Sequence, residues 1–177
     1  MASLHFEYLL GETTVWEIVK DWCNSIWNSL KATRMPEKME NDWVNIANDF
    51  YRRTQFPNCT VAVDGKHIRI KMPTCSVSLF YNYKHLFSIA LLALVDTNYC
   101  FIADVGAVGK SSNSDVFKKS NIGRKLESNQ LGIPGSRPLP KDENGKCMPF
   151  VVVGDEAFAL SEHVLWPYPN RNLSIQQ

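Results

Sequence analysis

The sequence has little of what usually declares a function. Basic excess is absent: the formal charge is +1, so the overall balance gives no argument for a nucleic-acid partner. Any basic surface has to be local, as in Lys66, Arg69, Lys71 and Lys84, and such a cluster is more often a solvated face. The five cysteines, Cys23, Cys59, Cys75, Cys100 and Cys147, are an odd number with no two close enough for a zinc knuckle or a redox pair. That pattern fits a reducing compartment with buried or idle thiols. Long apolar runs are missing, and the longest, Ile89 to Val95, is far too short to span a bilayer. The opening residues, Met1 to Glu7, lack the basic start and apolar core of a secretory signal. The expectation is a soluble intracellular protein. There is no internal repeat, no low-complexity tract, no Gly-x-Ser-x-Gly and no phosphate loop, which argues against an α/β phosphatase or hydrolase built on Asp64.

What is present is a chain able to bury a core. Its 177 residues suit one domain with a small appendage, and 45% of them are hydrophobic. Two stretches stand out. In Thr60 to Ile70, the β-formers Val61, Val63, Ile68 and Ile70 flank a polar centre that begins with Asp64. In Phe150 to Glu156, an apolar run ends in Gly154-Asp155. A buried strand that delivers an Asp at its end is how open α/β sheets address a ligand crevice. Two such strands can bring paired carboxylates to a hard divalent cation. Either Asp alone is more simply read as ending a strand or capping a turn. For the pair, the two readings weigh about equally on the residues alone.

In chain order, residues 3–34 read as helix interrupted by Gly11, with Val15, Ile18, Val19, Trp22, Ile26 and Leu30 forming an apolar stripe. The outline also fits a helix-turn-helix, which would bring Thr13, Thr14, Trp16, Glu17 and Lys20 near a DNA groove. Glu17 repels phosphate, so helical packing is the preferred role. Glu37 to Arg53 reads as a second helix, and Phe87–Asp96 and Tyr99–Gly106 as a hairpin joined at Thr97-Asn98. Asp115 to Ser128 reads as one amphipathic helix and 132–148 as a surface excursion. Ser161 to Trp166 reads as the start of a helix that Pro167 stops. The fold class expected is α/β: an incomplete ribonuclease-H-like sheet over 36–177, preceded by an N-terminal helical segment over 1–35.

Several motifs together resemble the Harbinger-type (PIF/Harbinger) transposases and the DDE nucleases derived from them. They are Phe56-Pro57-Asn58-Cys59, Val63-Asp64-Gly65-Lys66-His67-Ile68, Tyr81-Asn82-Tyr83-Lys84, Leu91 to Asp96, Val105-Gly106-Ala107, Gly154-Asp155-Glu156-Ala157-Phe158 and Trp166-Pro167-Tyr168-Pro169. They run from about residue 40 onward in the family's order, and the helices before Pro36 resemble the end of its helix-turn-helix. The resemblance implies a metal-dependent endonuclease acting on DNA phosphodiesters, in which carboxylates hold two Mg²⁺ or Mn²⁺ ions. Asp64 and Asp155 match catalytic, metal-binding positions, and His67 and Lys84 would lie near the substrate, more as positioning groups than as chemical ones. The resemblance also implies a Myb-like DNA-binding partner and a location in the nucleus, or also in the cytoplasm.

The sequence departs from the family pattern in two places. An Asp expected in the loop before Val116-Phe117 is Asn113 here, and Asp115 stands two residues later, able to serve as a metal ligand only if the loop shifts; capping the next helix is its more natural role. The family's final Glu follows a basic stretch beyond the Gly-Asp strand, and the chain stops at Gln177 before it, which reads as a C-terminal truncation. The expectation is therefore a DDE-type endonuclease domain that is inactive as it stands. The alternative is a domesticated or decayed transposase fragment serving as a metal- or partner-binding module.

Overall fold

The computed structural model describes residues 2–166 apart from 77 and 143. Two compact units divide the chain, Met1–Glu37 and Lys38–Gln177. The first consists of α1 (Ala2–Tyr8) and α2 (Glu12–Arg34), separated at Gly11. Of the stripe on α2 only Val15 is buried, and Ile18, Trp22, Ile26 and Leu30 are exposed. The stripe expected to pack is therefore largely uncovered.

The second unit begins with α3 (Glu40–Thr54), where the Asp42 carboxylate accepts the Met39 amide and Gln55 ends the helix in the left-handed conformation. Trp43, Ala47 and Phe50, at helical spacing, are its buried face. The strands β1 (Cys59–Arg69), β2 (Ser88–Val95), β3 (Phe101–Val108), β4 (Val151–Val153) and β5 (Val164–Leu165) form one sheet in the order β3-β2-β1-β4-β5. The β1–β2 and β2–β3 pairs are antiparallel, whereas β1–β4 and β4–β5 are parallel. The architecture is a mixed α/β sheet. Alternation along β1 and β2 sends Val61, Val63, Leu92 and Leu94 into a core shared with Val116, Phe117, Leu126, Val152 and Phe158.

The hairpin turn is longer than Thr97-Asn98. Asp96 Oδ1 accepts the amides of Asn98 and Cys100, so the turn spans the residues between β2 and β3. The single helix expected over Asp115–Ser128 is two, α4 (Asn113–Lys119) and α5 (Asn121–Glu127). Ser120 is the cause. Its extended backbone ends α4, while its Oγ donates to the Phe117 carbonyl and accepts the Gly123 amide, capping α5. The bend brings Gly123 so close to the Phe117 carbonyl that no β-carbon would fit.

The helix expected from Ser161 is instead the strand β5. Ser161 Oγ accepts the amides of His163 and Val164, closing a turn rather than capping a helix. Val164 is β-branched and buried, and it pairs with Val152. Pro167 and the rest of the Trp166-Pro167-Tyr168-Pro169 motif lie outside the described residues.

The 132–148 excursion is pinned at its base. Arg137 bridges to Met148, donates through Nε to Asn58 Oδ1 at 2.8 Å and through Nη2 to Asn48 Oδ1 at 3.1 Å, and lies 4.8 Å from the Phe150 ring centre. Asn58 in turn donates to the Met148 carbonyl at 3.0 Å and accepts the Val151 amide on its own carbonyl at 2.8 Å. This clamp sets β4 beside β1, and with it the position of Asp155 relative to Asp64.

Candidate functional site

The site lies at a notch in the sheet. β4 stops at Val153, which pairs with Ala62, while β1 continues to Arg69. From Val63 onward, β1 therefore has a free edge on that side. Asp64 lies two residues beyond Ala62 within β1, and Asp155 lies two residues beyond Val153, past the end of β4. Gly154 makes the close approach possible. A β-carbon there would lie 3.1 Å from Val63 Cγ1 and 2.7 Å from Phe158 Cδ2.

Each carboxylate has a local partner. The Ile70 amide donates to the Phe87 carbonyl on the β2 side. Amides of an antiparallel strand alternate in direction, so the Gly65 amide points to the free edge. There it donates to Asp64 Oδ1 at 2.7 Å. Asp155 Oδ1 accepts the Ala157 amide at 3.0 Å, in the turn where the Phe158 amide reaches the Asp155 carbonyl. Both side chains are solvent-exposed, and each carboxylate keeps its second oxygen free of these local bonds.

Asn113, the first residue of α4, reaches the same place from the face that carries the core. Its carboxamide fills the position of a β-carbon on Gly65. The Asp64 carboxylate and the Asn113 amide thus flank one glycine, from the edge and from the face. Asp115 stands in the first turn of α4 with its amide donating to Ser112 Oγ at 3.1 Å. The N-cap is therefore Ser112, not Asp115, whose carboxylate is exposed. Among the described residues, no group of three or more His, Cys, Asp and Glu side chains converges as a metal site.

His67 and Lys84 belong to one polar cluster built on two buried residues. His67 Nδ1 lies 2.9 Å from Ser88 Oγ, and Asn82 Nδ2 donates to the same oxygen at 2.8 Å. Asn82 Oδ1 accepts the amides of Lys84 at 2.9 Å and Leu86 at 3.1 Å, which folds the Tyr81–Phe87 turn. Tyr83 meets the His67 ring edge-on at 5.6 Å, with the Lys84 ammonium 5.4 Å from the Tyr83 ring. His67 shares the Gly65 face of β1, opposite the direction in which the Asp64 side chain leaves the strand. Ser88 and Asn82 were not among the residues singled out from sequence. The signal for Asn82 is the Tyr81-Asn82-Tyr83-Lys84 motif itself, and none of the motifs contains Ser88.

The class of protein is a mixed α/β domain, with Asp64 inside β1 and Asp155 just beyond β4. The chain belongs to the DDE superfamily endonucleases, whose family profile matches residues 63–177. It is 28% identical over 144 residues to Protein ALP1-like of Arabidopsis thaliana, a match that covers 80% of this chain and 34% of that protein. The chain thus spans about a third of the length of this curated relative. No solved structure matches. Endonucleases of the superfamily generally use divalent metals.

Proposed function

We propose that residues 36–177 form the nuclease domain of a Harbinger-type, transposase-derived protein, with a ribonuclease-H-like sheet and a weakened metal site. The observation that carries this reading is the parallel pairing of β4, which leads into Gly154-Asp155, with the part of β1 that leads into Asp64, together with Asn113 lying against Gly65. The donors fit a hard cation: two exposed carboxylates and one neutral carbonyl oxygen. Asp64 and Asp155 would hold Mg²⁺ or Mn²⁺, and Asn113 would add a ligand without charge. Divalent metal at such a site supplies an activated water or 3′-hydroxyl and stabilisation of the leaving oxygen of a phosphodiester. His67 and Lys84 orient the DNA backbone on the neighbouring turn. On this reading the protein acts in the nucleus with a Myb-like partner that supplies DNA binding.

Asn113 favours a second reading, in which the domain has lost catalysis and serves as a metal- or partner-binding module. The amide removes a charge at the point where the family places an Asp, so both readings include weak metal binding and differ in turnover.

Titration calorimetry with Mn²⁺ on the wild type, Asp64→Ala and Asp155→Ala tests the shared premise. Weak binding that either substitution abolishes is expected, and equal heats for all three proteins would remove both carboxylates from the ligand set. A supercoiled-plasmid nicking assay with Mn²⁺ then separates the readings. No nicking by the wild type and its appearance in Asn113→Asp supports a nuclease site weakened at one position. Both proteins are assayed in a version extended through the helix that carries the family's final Glu, and silence from both extended proteins favours the binding module.

A further inference from the structure

The apolar stripe of α2 is largely exposed. Trp16, Ile18, Trp22, Ile26, Trp27 and Leu30 are between 43% and 67% exposed. At 100° per residue they share an arc of about 180° with Val15, Val19 and Cys23, while Glu17, Lys20, Asp21 and Lys31 occupy the other side. Contiguous exposed apolar surface of this kind marks an interaction site.

Charge along the helix identifies the occupant. Glu12, Glu17 and Asp21 outweigh Lys20 in the first half, and Lys31 and Arg34 make the second half positive. Acid at the start and base at the end also suit the helix's own dipole, but that effect fades within a turn and does not extend to Glu17 and Asp21. Glu12 and Arg34 project within about 20° of Cys23 on the apolar arc, one to either side of it, and are equidistant from it along the helix. A second copy of α2 running the opposite way therefore meets opposite charge at both ends, whereas a parallel copy meets like charge. The balanced polar face lacks the basic excess that a membrane-surface helix uses.

We propose that α2 pairs antiparallel with α2 of a second copy of this chain, about a two-fold axis at Cys23. The pairing buries Trp16, Trp22, Ile26 and Leu30 and sets Glu12 of each copy against Arg34 of the other. It is independent of the metal site.

Sedimentation equilibrium of the full chain reads the association directly. A dimer is expected, converted to monomer by Trp22→Glu with Ile26→Glu while helix content by circular dichroism is retained. A dimer that survives this double substitution overturns the proposal, as does a wild-type chain that is monomeric. Glu12→Arg alone and Arg34→Glu alone each weaken the dimer about threefold to tenfold, since each places like charges at both ends. Mixing the two variants restores opposite charge at both ends and recovers association. A mixture no tighter than its components overturns the antiparallel arrangement. Mild oxidation should trap a disulfide-linked dimer that Cys23→Ser abolishes, and cross-linking unaffected by that substitution counts against the axis. Binding of the monomeric wild type to anionic vesicles would assign the stripe to a membrane surface instead.

Discussion

The Asn113 carboxamide occupies the space that a β-carbon on Gly65 would take, one residue along β1 from Asp64. A helix that follows β3 is thereby registered against the middle of β1 by a single glycine. The same contact lays a neutral amide on the β1 backbone one residue after Asp64.

Asn113→Asp should therefore alter stability and metal response in opposite directions. Without metal, a carboxylate next to Asp64 adds like-charge repulsion of about 1 kcal/mol, a fall of roughly 2–4 °C in melting temperature. With Mn²⁺, the added charge should tighten binding by about tenfold or more. Thermal melts in chelator and in Mn²⁺ check both signs. A variant whose melting temperature ignores Mn²⁺ would show that Asn113 lies outside the ligand set.

Gly65→Ala should displace the Asn113 side chain and strain the start of α4. Overpacking of this kind costs about 1–3 kcal/mol, at the lower end because an amide can rotate away where a backbone cannot. Gly109→Ala should cost more. Its β-carbon would meet the Ser88 and Phe80 carbonyls, which are backbone. Urea denaturation of the two variants gives the ranking, and equal midpoints would contradict it.

Arg137→Ala should loosen the base of the 132–148 excursion. It removes a donor to Asn58, which is 2% exposed, and leaves that buried amide oxygen without its partner. The expected loss is about 1–3 kcal/mol, and hydrogen exchange should rise at Val151, whose amide bonds to the Asn58 carbonyl. Exchange at Val151 equal to that of the wild type would mean that the clamp does not hold β4.

Cys59 makes stability depend on alkaline pH. Burial pushes its thiol from 9.0 up to about 12, partly offset by backbone hydrogen bonding at Val61 and Val153. The folded value lies above the unfolded one, so the native state holds its proton where the unfolded chain releases it. Stability is unaffected by this group below about pH 9 and falls above it, by up to about 1.4 kcal/mol per pH unit. Other groups titrate there too, so the reading is the difference in slope between wild type and Cys59→Ala in urea denaturation from about pH 8 to pH 11. Parallel slopes would argue against a buried neutral thiol. Alkylation should likewise spare Cys59 while reaching the exposed Cys23, Cys75, Cys100 and Cys147.

The strand carrying Asp64, its hairpin partner, the strand that leads to Asp155 and the helical N-terminal segment were legible from local pattern alone. Period-two alternation and Gly-Asp strand ends are properties of a short stretch, independent of what packs on it. The two errors of type or continuity have one cause. The Asp115–Ser128 pattern is amphipathic throughout, yet one hydroxyl at Ser120 caps two helices. Ser161 resembles a helix cap, yet its hydroxyl closes a turn into β5 because Val164 gains more by pairing with Val152 in the core. In both places a side chain chose between two local hydrogen-bonding roles, and distant packing decided which.

By itself the sequence determined which residue types were present to do chemistry: Asp64 in a β-forming stretch, where the structure puts it mid-strand rather than at a strand end, Asp155 after an apolar run, an Asn where the family pattern has an Asp, and an apolar stripe with segregated charge on α2. Only the tertiary structure decided their geometry. Strand order set β4 beside β1 and left a free edge at Gly65, and the Arg137–Asn58 clamp fixed that alignment. The passage of α4 across the sheet laid Asn113 on Gly65. These contacts join residues far apart in the chain, and their free energy comes from burial and from pairing buried polar groups, which no local window of sequence contains.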